Sequence, residues 1–411
     1  MKFEEFHISP EIKKSLEELG FKKPTDIQFK SIPPILKGED VLAIAQTGTG
    51  KTASFAIPIL HIVQDQKGRT PDGIKAIVMV PTHELSIQIT EAFNKIGHYT
   101  GVKTYSLYGG VDQASQIRQF EEGVDILVTT PGRMFDLRSQ GHIQLDRVEV
   151  LVLDEADHMM DLGFIKDIQD VIKLLPKNRQ TLFFSATIND KIKKLAYSLV
   201  RNAIRIQISP KDPVSKNIHH SVAFVEMDDK RFFLERVINE NPDKKILVFV
   251  RTKVRAERVM HALERMNIKS ITIHSDKEQA DRLKVMEQFR SGEVKILIAT
   301  DISARGIDIA NVDYVVNYDL PDVPENYVHR VGRTGRGMQK GQAISFCSTE
   351  EKEVLKEIEG FLQQEIKVLE IHKGDYSQTI DFTNEKHTDW KTLMKEIQQH
   401  EEESTKKKKK K

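Results

Sequence analysis

Short apolar runs alternate with longer stretches of helical periodicity along most of the chain. In the first half, the runs that predict strands are Asp40 to Ala45, Ala76 to Val80, Val102 to Tyr108, Ile126 to Thr129, Val150 to Leu153 and Gln180 to Phe184. Strands that alternate with helices are typical of a parallel sheet covered by helices on both faces. The pattern therefore predicts an α/β domain here. Ahead of it, Ser9 as N-cap and Pro10 in first position predict a helix over residues 9–19 that ends at Gly20.

A second alternating series follows a polar segment with two prolines. Its predicted strands are Ser221 to Glu226, Lys245 to Val250, Ser270 to His274, Val294 to Ala299, Tyr314 to Asn317 and Gln342 to Cys347, with helices such as Lys230 to Asn239 and Val254 to Met266 between them. We therefore predict two parallel-sheet α/β domains in tandem, over residues 1–206 and 218–367, joined by a flexible linker over 207–217. Beyond about Val368 the alternation stops, so residues 368–411 form a short C-terminal extension.

Composition narrows the class of protein. Hydrophobic residues make up 39% of the 411 and charged residues 30%, and no apolar run approaches the roughly 20 residues that span a bilayer. The charged N-terminus does not resemble a signal peptide, and the single cysteine, Cys347, excludes an intrachain disulfide. We therefore expect a cytoplasmic protein, with Cys347 as a small core residue. Removing the six lysines 406–411 from the net charge of +1 leaves −5, so any nucleic acid must bind in a local groove.

The segment Ala45-Gln46-Thr47-Gly48-Thr49-Gly50-Lys51-Thr52 lies between a predicted strand and a predicted helix. It fits the phosphate-binding pattern G-x-x-x-x-G-K-[ST] loosely, because Ala45 replaces the first glycine. The two remaining glycines allow backbone N–H groups to surround a phosphate at the helix N-terminus. Lys51 is predicted to bind the β- and γ-phosphates and Thr52 to bind Mg²⁺. A glycine- and threonine-rich turn before an ordinary helix is the alternative.

Acidic residues follow the apolar run Val150 to Leu153, which predicts a central strand. Asp154, Glu155 and Asp157 then lie at the carboxyl end of that strand, where open α/β sheets bind ligands. Asp154 suits Mg²⁺ held through water, and Glu155 suits the orientation or deprotonation of an attacking water. The alternative is a solvated acidic turn.

With these motifs in place, the chain resembles a DEAD-box ATP-dependent RNA helicase of superfamily 2, with matching motifs from Phe3 to Arg336. The resemblance implies two RecA-like domains with ATP and Mg²⁺ as cofactors. The segment Gly20-Phe21-x-x-Pro24-Thr25-x-Ile27-Gln28 resembles the element that binds adenine, with a bidentate amide from Gln28. Phe21 belongs to that element, and Phe3 would supply an aromatic face, with N-terminal packing of Phe3 as the alternative.

Further motifs resemble those that bind the RNA backbone. The residues implied are Pro81, Thr82, Gly110, Thr130, Pro131, Gly132, Arg133, Gln279, Arg282 and Thr300. Small residues, exposed N–H groups and arginines suit a sugar-phosphate backbone. Two positions depart from the family pattern: His83 replaces the usual arginine, which removes a charge from the RNA track, and Ser275 replaces the usual glycine.

The remaining motifs divide the nucleotide site between the domains. In the second domain, Arg333 and Arg336 of the segment His329 to Arg336 would bind the γ-phosphate, and Gly306 and Asp308 would bind the nucleotide, with Asp308 on the ribose. The residues implied to couple the nucleotide site to the interdomain cleft are Asp157, Ser185, Thr187 and His329. Because neither half of the site is complete, we expect ATP hydrolysis only when RNA closes the domains.

The resemblance implies an RNA helicase that couples RNA-stimulated ATP hydrolysis to local, non-processive unwinding. The alternatives are an ATP-gated RNA clamp with little strand separation and a DNA translocase. Within the family, the chain most resembles the bacterial RhlE-type branch, through the segments FVRTK and NYDLPDVPENYVHRVGRTGR and the brief tail. RNA is the expected partner, with ribosomal or RNA-decay proteins as further candidates, and we expect a monomer.

Apolar spacing near the C-terminus predicts a short helix. Thr388 or Asp389 would cap it, and Trp390, Leu393, Met394 and Ile397 lie at i, i+3, i+4 and i+7. The helix would pack on the core or dock a partner. The tail Lys406 to Lys411 is expected to be disordered, either as a tether for RNA or as a solvated tail.

Overall fold

The computed structural model contains two seven-stranded parallel sheets, each covered by helices on both faces. It describes residues 2–46, 48–70, 72–109, 112–208, 214, 217–301, 309, 312–335, 340–371, 376 and 379. The predicted fold class, two parallel α/β domains in tandem, is confirmed.

The first domain begins with a one-turn 3₁₀ helix, Phe3–Glu5. Its further elements, in chain order, are α1 Pro10–Glu18, α2 Asp26–Leu36, β1 Val41–Ala45, α3 Lys51–Gln66, β2 Ala76–Met79, α4 His83–Ile96, β3 Thr104–Leu107, α5 Gln113–Glu121, β4 Ile126–Thr129, α6 Pro131–Ser139, β5 Val150–Leu153, α7 Ala156–Asp161, α8 Ile165–Leu174, β6 Gln180–Ser185, α9 Asp190–Leu199 and β7 Ile204–Ile208. The strand order is β3-β4-β2-β5-β6-β1-β7. All the paired strands run parallel, so their carboxyl ends share one edge of the sheet.

The second domain repeats this plan. Its elements are β8 Ile218–Phe224, α10 Lys230–Glu240, β9 Ile246–Phe249, α11 Lys253–Glu264, β10 Ile271–Ile273, α12 Gln279–Ser291, β11 Ile296–Ala299, β12 Tyr314–Asn317, α13 Pro324–Val331, β13 Gly341–Cys347, a 3₁₀ turn Thr349–Glu351, α14 Lys352–Leu362 and β14 Lys367–Val368. The strand order is β10-β11-β9-β12-β13-β8-β14. Cys347 is a free, buried thiol at the end of β13, as the sequence predicts.

The central strands are apolar on both faces because helices cover both. Every residue of β1, β2, β4 and β5 in the first domain is buried, as is every residue of β9 and β11 in the second. The apolar cores of the described residues form two clusters in the first domain and two in the second, and none of the four includes residues from both domains. Each domain therefore has its own hydrophobic core.

Two strands were missed by the sequence analysis. The start of the predicted linker is strand β7, which pairs in parallel with β1 from Ile204 to Ile208 and runs two residues past the boundary at 206. Ile206 is buried, whereas its neighbours Arg205 and Gln207 are exposed, which is the alternation of an edge strand with one covered face. Likewise β14 pairs with β8 across the boundary placed at 367.

The C-terminal extension is described only in part. The Tyr376 ring lies 4.9 Å from the Phe233 ring, and its hydroxyl donates to Asp229 Oδ2 (2.7 Å). The helix predicted around Trp390 and the tail Lys406 to Lys411 lie outside the described residues. Over the described part of the chain, no helix combines the length and apolarity that crossing a membrane requires.

Candidate active site

Three neighbouring strands carry the motifs of the predicted nucleotide site. The strands β5, β6 and β1 are adjacent in the sheet. At their carboxyl ends lie, respectively, Asp154 to Asp157, the segment after Ser185, and the loop that leads to Lys51. The fold thus gathers motifs that are more than 130 residues apart in sequence at one edge.

The phosphate-binding loop has the backbone that its glycines predict. Gly48 and Gly50 have φ values of 80° and 92°, and Gly50 is the N-cap of α3. Lys51 is 7% exposed, and within the described part of the chain its Nζ is a buried atom without a hydrogen-bond partner. A buried ammonium at a helix N-terminus fits a bound phosphate, which would satisfy it. Thr52 follows in the first turn of α3, and Thr49 Oγ1 donates to the Gln46 carbonyl (2.8 Å).

Ala45 and Thr47 are two further predicted members of this loop. Ala45 is the buried last residue of β1, so its replacement of the first glycine leaves the strand intact. Thr47 lies outside the described residues.

Gln28 supports the loop from α2. Its Oε1 accepts from the Thr25 N–H (2.9 Å), and its Nε2 donates to the Gly50 carbonyl (3.2 Å). Gly50 has a φ of 92°, and a Cβ there would lie 2.5 Å from Gln28 Nε2, so another residue would strain the backbone and displace the Gln28 amide. The sequence predicts a free bidentate amide for adenine, whereas here both ends of the amide bind the protein. An adenine contact by Gln28 requires sharing or replacing these bonds.

The aromatic residues of the adenine element pack on each other. Phe3 is 5% exposed, with its ring centroid 5.7 Å from that of Phe21 and 6.0 Å from that of Phe6. The packing alternative for Phe3 therefore describes this structure better than an open aromatic face. Phe21 is only half-buried and remains the candidate for an apolar contact with a base.

The two acidic residues after β5 differ in electrostatics. Burial raises the pKa of Asp154 to about 6, although the Lys51 charge opposes the shift. Burial also opposes ionisation of Glu155, but contact with His158, together with the charges of His158, Lys51 and Arg333, outweighs it and lowers the pKa of Glu155 to about 2. His158 Nδ1 lies 3.5 Å from Glu155 Oε2, which is long for a hydrogen bond. The contact is an ion pair when His158 is protonated.

The backbone of Glu155 is unusual. Its φ of 50° and ψ of 47° lie in the left-handed region that glutamate seldom adopts. Its N–H donates to Asp154 Oδ1 (3.0 Å). Strained conformations of this kind concentrate at functional sites. The turn directs Asp154 and Glu155 to the same edge as Lys51, whose charge acts on both carboxylates.

Asp157 links this turn to the segment at the end of β6. Its Oδ2 accepts from the N–H groups of Ala186 (3.1 Å) and Thr187 (3.0 Å) and from Thr187 Oγ1 (3.1 Å). Ser185 Oγ in turn donates to the Thr187 carbonyl (2.8 Å). The three predicted coupling residues of the first domain therefore form one hydrogen-bonded unit.

The second domain contributes Arg333 to this edge. The residue lies just beyond α13, is 5% exposed, and donates from Nε to the His329 carbonyl (3.3 Å). Its positive charge is among the causes that lower the pKa of Glu155 in the first domain. Arg336, Gly306 and Asp308 lie outside the described residues, and their predicted roles stay predictions.

The other half of the first sheet edge carries the predicted RNA contacts. The strands β4 and β2 are adjacent, and α6 and α4 begin directly after them. Their N-caps are Thr130 and Thr82, with Pro131 in first position of α6 and Pro81 buried beside Thr82. Two neighbouring helix N-termini suit successive phosphates of one strand.

The remaining predicted RNA residues of this domain differ in accessibility. Gly132 is exposed, and Arg133 Nε donates to Gln116 Oε1 (3.0 Å), which holds it beside α5. Gly110 lies outside the described residues. In the second domain, Thr300 is buried at the end of β11 and donates its N–H to the Ile273 carbonyl (3.4 Å).

Gln279 and Arg282 bind the first domain rather than standing free for RNA. Arg282 Nε lies 2.8 Å from Glu84 Oε1, and Gln279 Nε2 donates to the same oxygen (3.3 Å). Gln279 Oε1 lies 3.4 Å from His83 Nδ1. We call these four residues the interdomain latch. The sequence analysis assigned Gln279 and Arg282 to RNA and missed Glu84, because only the folded chain brings α4 and α12 together.

His83 is part of the latch and is half-buried. Its ring lies 5.5 Å from that of Tyr108, and a Cβ at Gly109 would lie 3.7 Å from its Cε1. Burial lowers the pKa of His83, and this outweighs the opposing effect of Glu84. The imidazole is therefore neutral at pH 7, and it bonds to Gln279.

Arg330 is a second residue whose role the sequence analysis missed. The side chain is 1% exposed and binds Asp301 through two bonds, from Nε to Oδ1 (2.6 Å) and from Nη2 to Oδ2 (2.7 Å). Its Nη1 donates to the Asp319 carbonyl (2.7 Å) and to Asn317 Oδ1 (3.3 Å). Arg330 thus anchors α13, which carries His329 and leads to Arg333. Its place between those residues in the motif was the available signal.

The metal prediction can be tested against the donor set. No group of three or more His, Cys, Asp or Glu side chains in the described residues could hold a metal ion on its own. Mg²⁺ usually binds through one or two protein oxygens together with nucleotide phosphates and water. Thr52 and Asp154 fit that pattern, with the raised pKa of Asp154 marking a buried carboxyl that a cation would stabilise in its charged form.

Two family models match the chain. The model described as DEAD/DEAH box helicase matches residues 25–195, and the model described as Helicase conserved C-terminal domain matches residues 229–338. The chain is 39% identical over 374 residues to the ATP-dependent RNA helicase CshA of Listeria monocytogenes, covering 91% of this chain and 71% of that protein. It is 40% identical over 372 residues to the ATP-dependent RNA helicase RhlB of Shewanella piezotolerans, covering 89% and 85%.

Among solved structures, the chain is similar to S. cerevisiae Dbp5 bound to RNA and ADP BeF3. The TM-score is 0.81 at 29% identity, covering 93% of this chain and 99% of that one. Against a Dbp5 variant bound to Nup159, Gle1, IP6 and ADP, the TM-score is 0.63 at 28% identity, covering 92% and 99%. The two Dbp5 chains are nearly equal in their identity to this chain, and the TM-score is higher for the one bound to RNA and ADP BeF3.

Proposed function

The chain belongs to the DEAD-box family of ATP-dependent RNA helicases, and from that membership we propose that it closes its two domains on RNA and ATP and separates short duplexes locally, without processive movement. The family activity is RNA-dependent ATP hydrolysis. The observation that carries the proposal is the direct contact between the domains, where Arg282 Nε lies 2.8 Å from Glu84 Oε1. The charge of Arg333 also lowers the pKa of Glu155 in the other domain. The similarity to Dbp5 bound to RNA and ADP BeF3, with a TM-score of 0.81, supports the same proposal.

In the first domain, ATP binding rests on the loop before α3. The N–H groups around Gly50 and the buried Lys51 ammonium bind the phosphates. Mg²⁺, held by Thr52 and Asp154, would neutralise phosphate charge when bound. Glu155 accepts a hydrogen bond from the attacking water and so orients it.

The pKa of Glu155 defines that role further. With a pKa of about 2, the carboxylate is a weak base at neutral pH, because proton transfer is most effective when the pKa lies near the operating pH. Glu155 therefore orients the water more than it deprotonates it before the reaction. Arg333 stabilises the charge that develops on the transferred phosphoryl group, an effect worth about 10³ to 10⁵ in rate.

Closure couples the two ligands. RNA bound across the helix N-termini at Thr82 and Thr130 and against the second domain favours the closed arrangement, which also brings Arg333 to the nucleotide. Shifting a two-state equilibrium from mostly open to mostly closed takes about 5.5 kcal/mol of differential binding. If RNA steps resemble DNA steps, at about 1.4 kcal/mol each, one closure event disrupts only a few base pairs.

The proposed RNA contacts are to the backbone. The described RNA-site residues are mainly small or hydroxyl side chains and helix N-termini, which bind phosphate and sugar and carry no sequence information. We therefore propose weak sequence preference. We also propose an RhlE-type branch, a monomeric state and a cytoplasmic location, and the free Cys347 thiol fits that location. The relatives compared are named CshA and RhlB. Ribosomal or RNA-decay proteins remain candidate partners.

A strand-release assay tests the function. Release of a labelled strand from a short RNA duplex is measured with ATP for the wild-type chain and for Glu155→Gln, with ATP hydrolysis measured in parallel. We expect the wild type to hydrolyse ATP and release the strand, and the variant to lose ATP hydrolysis by at least about 100-fold while still binding RNA. ATP hydrolysis without strand release would favour the alternative, an ATP-gated clamp. DNA that stimulates turnover as well as RNA does would favour a DNA translocase.

A further inference from the structure

The end of the interdomain linker lies against the loop that carries Arg333. Val214 is buried in an apolar cluster of the second domain that also contains Ile218. Between them, the carbonyl of Asn217 accepts a hydrogen bond from the N–H of Gly341 (2.9 Å). Val214 and Asn217 are therefore fixed to the second domain.

Two glycines make this contact very close. Gly335 has a φ of +66°, and a Cβ there would lie 2.5 Å from Ile218 Cγ1 and 3.2 Å from the Asn217 carbonyl oxygen. A Cβ at Gly341 would lie 2.3 Å from the Gly335 nitrogen. Side chains do not fit at either position, so the backbone at Gly335 packs directly against the Ile218 side chain and the Asn217 backbone. A displacement of one displaces the other, because close-packed atoms transmit strain.

The loop is also held from its other side. Thr334 is 2% exposed, and its hydroxyl donates to the Val312 carbonyl (2.6 Å). Arg333 precedes it directly, and the Arg333 Nε bonds to the His329 carbonyl. With one side fixed by Val312 and the other by the linker exit, the position of Arg333 depends on both contacts.

We propose that the linker exit, formed by Val214, Asn217 and Ile218, is a positioning element for the catalytic Arg333 and acts on it through Gly335. The inference rests on the proposed role of Arg333. It means that the positions of these three residues, and not only the bound ligands, set how well the arginine reaches the nucleotide. None of the three residues needs to contact ATP or RNA for this effect.

The first test substitutes Gly335→Ala in the full chain. The added Cβ collides with Ile218, and a misplacement of about 1 Å at a catalytic group can lower the rate about 100-fold. We expect kcat for RNA-stimulated ATP hydrolysis to fall by about that factor, while the Kd for AMP-PNP and the RNA concentration for half-maximal activity stay within about threefold. Gly292→Ala is the matched control, since it has a φ of +80° and its nearest atom, Lys245 Cε, is 3.6 Å away.

The second test approaches from the linker. Ile218→Ala removes the colliding Cγ1, so the Gly335→Ala/Ile218→Ala double variant should recover at least about fivefold of the lost kcat. Val214→Ala alone should lower kcat at least about fivefold, while the second domain still unfolds in a cooperative thermal transition. These linker variants carry the test if Gly335→Ala does not fold.

The outcomes separate this inference from the proposed function. No recovery in the double variant, together with an unchanged kcat for folded Val214→Ala, would overturn the positioning role of the linker exit. An Arg333→Lys variant that retained wild-type kcat would instead overturn the proposed role of Arg333. Equal losses in Gly335→Ala and Gly292→Ala would attribute the effect to backbone strain and would also overturn the inference.

Discussion

At the residue scale, the buried carboxyl of Asp154 lowers the stability of the folded chain when it is ionised. Its pKa is about 6 in the folded chain, against an ordinary value of 3.8. A carboxyl that binds its proton more tightly when folded makes the folded state less stable as pH rises through that window. The charged form needed to hold a cation is therefore the one that burial disfavours. Functional sites often carry such a cost.

We predict that Asp154→Asn raises the free energy of unfolding of the metal-free chain at pH 7, by up to about 3 kcal/mol from the loss of this titration. Its lost attraction to Lys51 reduces the gain. The free energy of unfolding is measured by urea unfolding from pH 4 to 7 in a chelating buffer. The wild type should lose stability relative to the variant as the pH rises. Asp136→Asn, at an exposed carboxyl, is the control and should follow the wild type. An Asp154→Asn curve parallel to the wild type would contradict the prediction.

Gln28 marks a limit of residue-scale prediction from sequence. Its motif predicts a bidentate amide for adenine, and local spacing places it at N3 of α2. Its hydrogen bonds were not predictable, since the Gly50 carbonyl is 22 residues away and reaches Gln28 only in the folded domain. The residue type predicted that Gln28 offers one hydrogen-bond donor group and one acceptor, whereas the tertiary structure determines which groups they bind.

Most of the elements could be predicted from sequence. The central strands were, because burial on both faces leaves a continuous apolar run. The strand β7 was missed although Ile204 to Ile208 alternates apolar and polar residues, because its sequence continues into a proline-containing segment. The strand β14 has only two residues, Lys367 and Val368, and exists through its pairing with β8. Short edge strands carry little local signal.

The helix α13 supplies a prediction at the element scale. Arg330→Lys loses the bidentate contact with Asp301 and leaves the Asp319 carbonyl with one donor fewer. Breaking a buried charge pair typically costs about 3 to 5 kcal/mol, and lysine cannot reproduce the planar fork of arginine. Thermal unfolding followed by calorimetry should show a lower Tm for the second domain and an unchanged one for the first. The exposed substitution Arg258→Lys on α11 should shift neither, and a Tm loss of equal size there would refute the assignment.

At the scale of the whole molecule, the interdomain latch makes closure measurable. Arg282→Glu places two carboxylates against each other at the Glu84 contact, which is buried on the Glu84 side. We expect the RNA concentration for half-maximal ATP hydrolysis to rise about 10- to 100-fold, because charge pairs of this kind contribute roughly 1.5 to 7 kcal/mol of coupling. The measurement is ATP hydrolysis over an RNA titration.

The reciprocal swap is the control for this prediction. Glu84→Arg combined with Arg282→Glu restores an opposite-charge pair across the boundary and should recover part of the affinity for RNA. If Arg282 acts instead by binding RNA, as the sequence analysis proposed, the double variant should be no better than Arg282→Glu. The comparison therefore decides between the two roles.

The separate cores described above have a further consequence. Since no described apolar cluster spans both domains, each half holds what it needs to fold, and the linker mainly keeps their concentration near each other high, in the millimolar range for short tethers. A polypeptide divided between Ile208 and Val214 should then behave as a two-fragment enzyme whose reassembly RNA and ATP template jointly. Its output would depend on the product of fragment concentrations, which would turn this helicase into a proximity reporter.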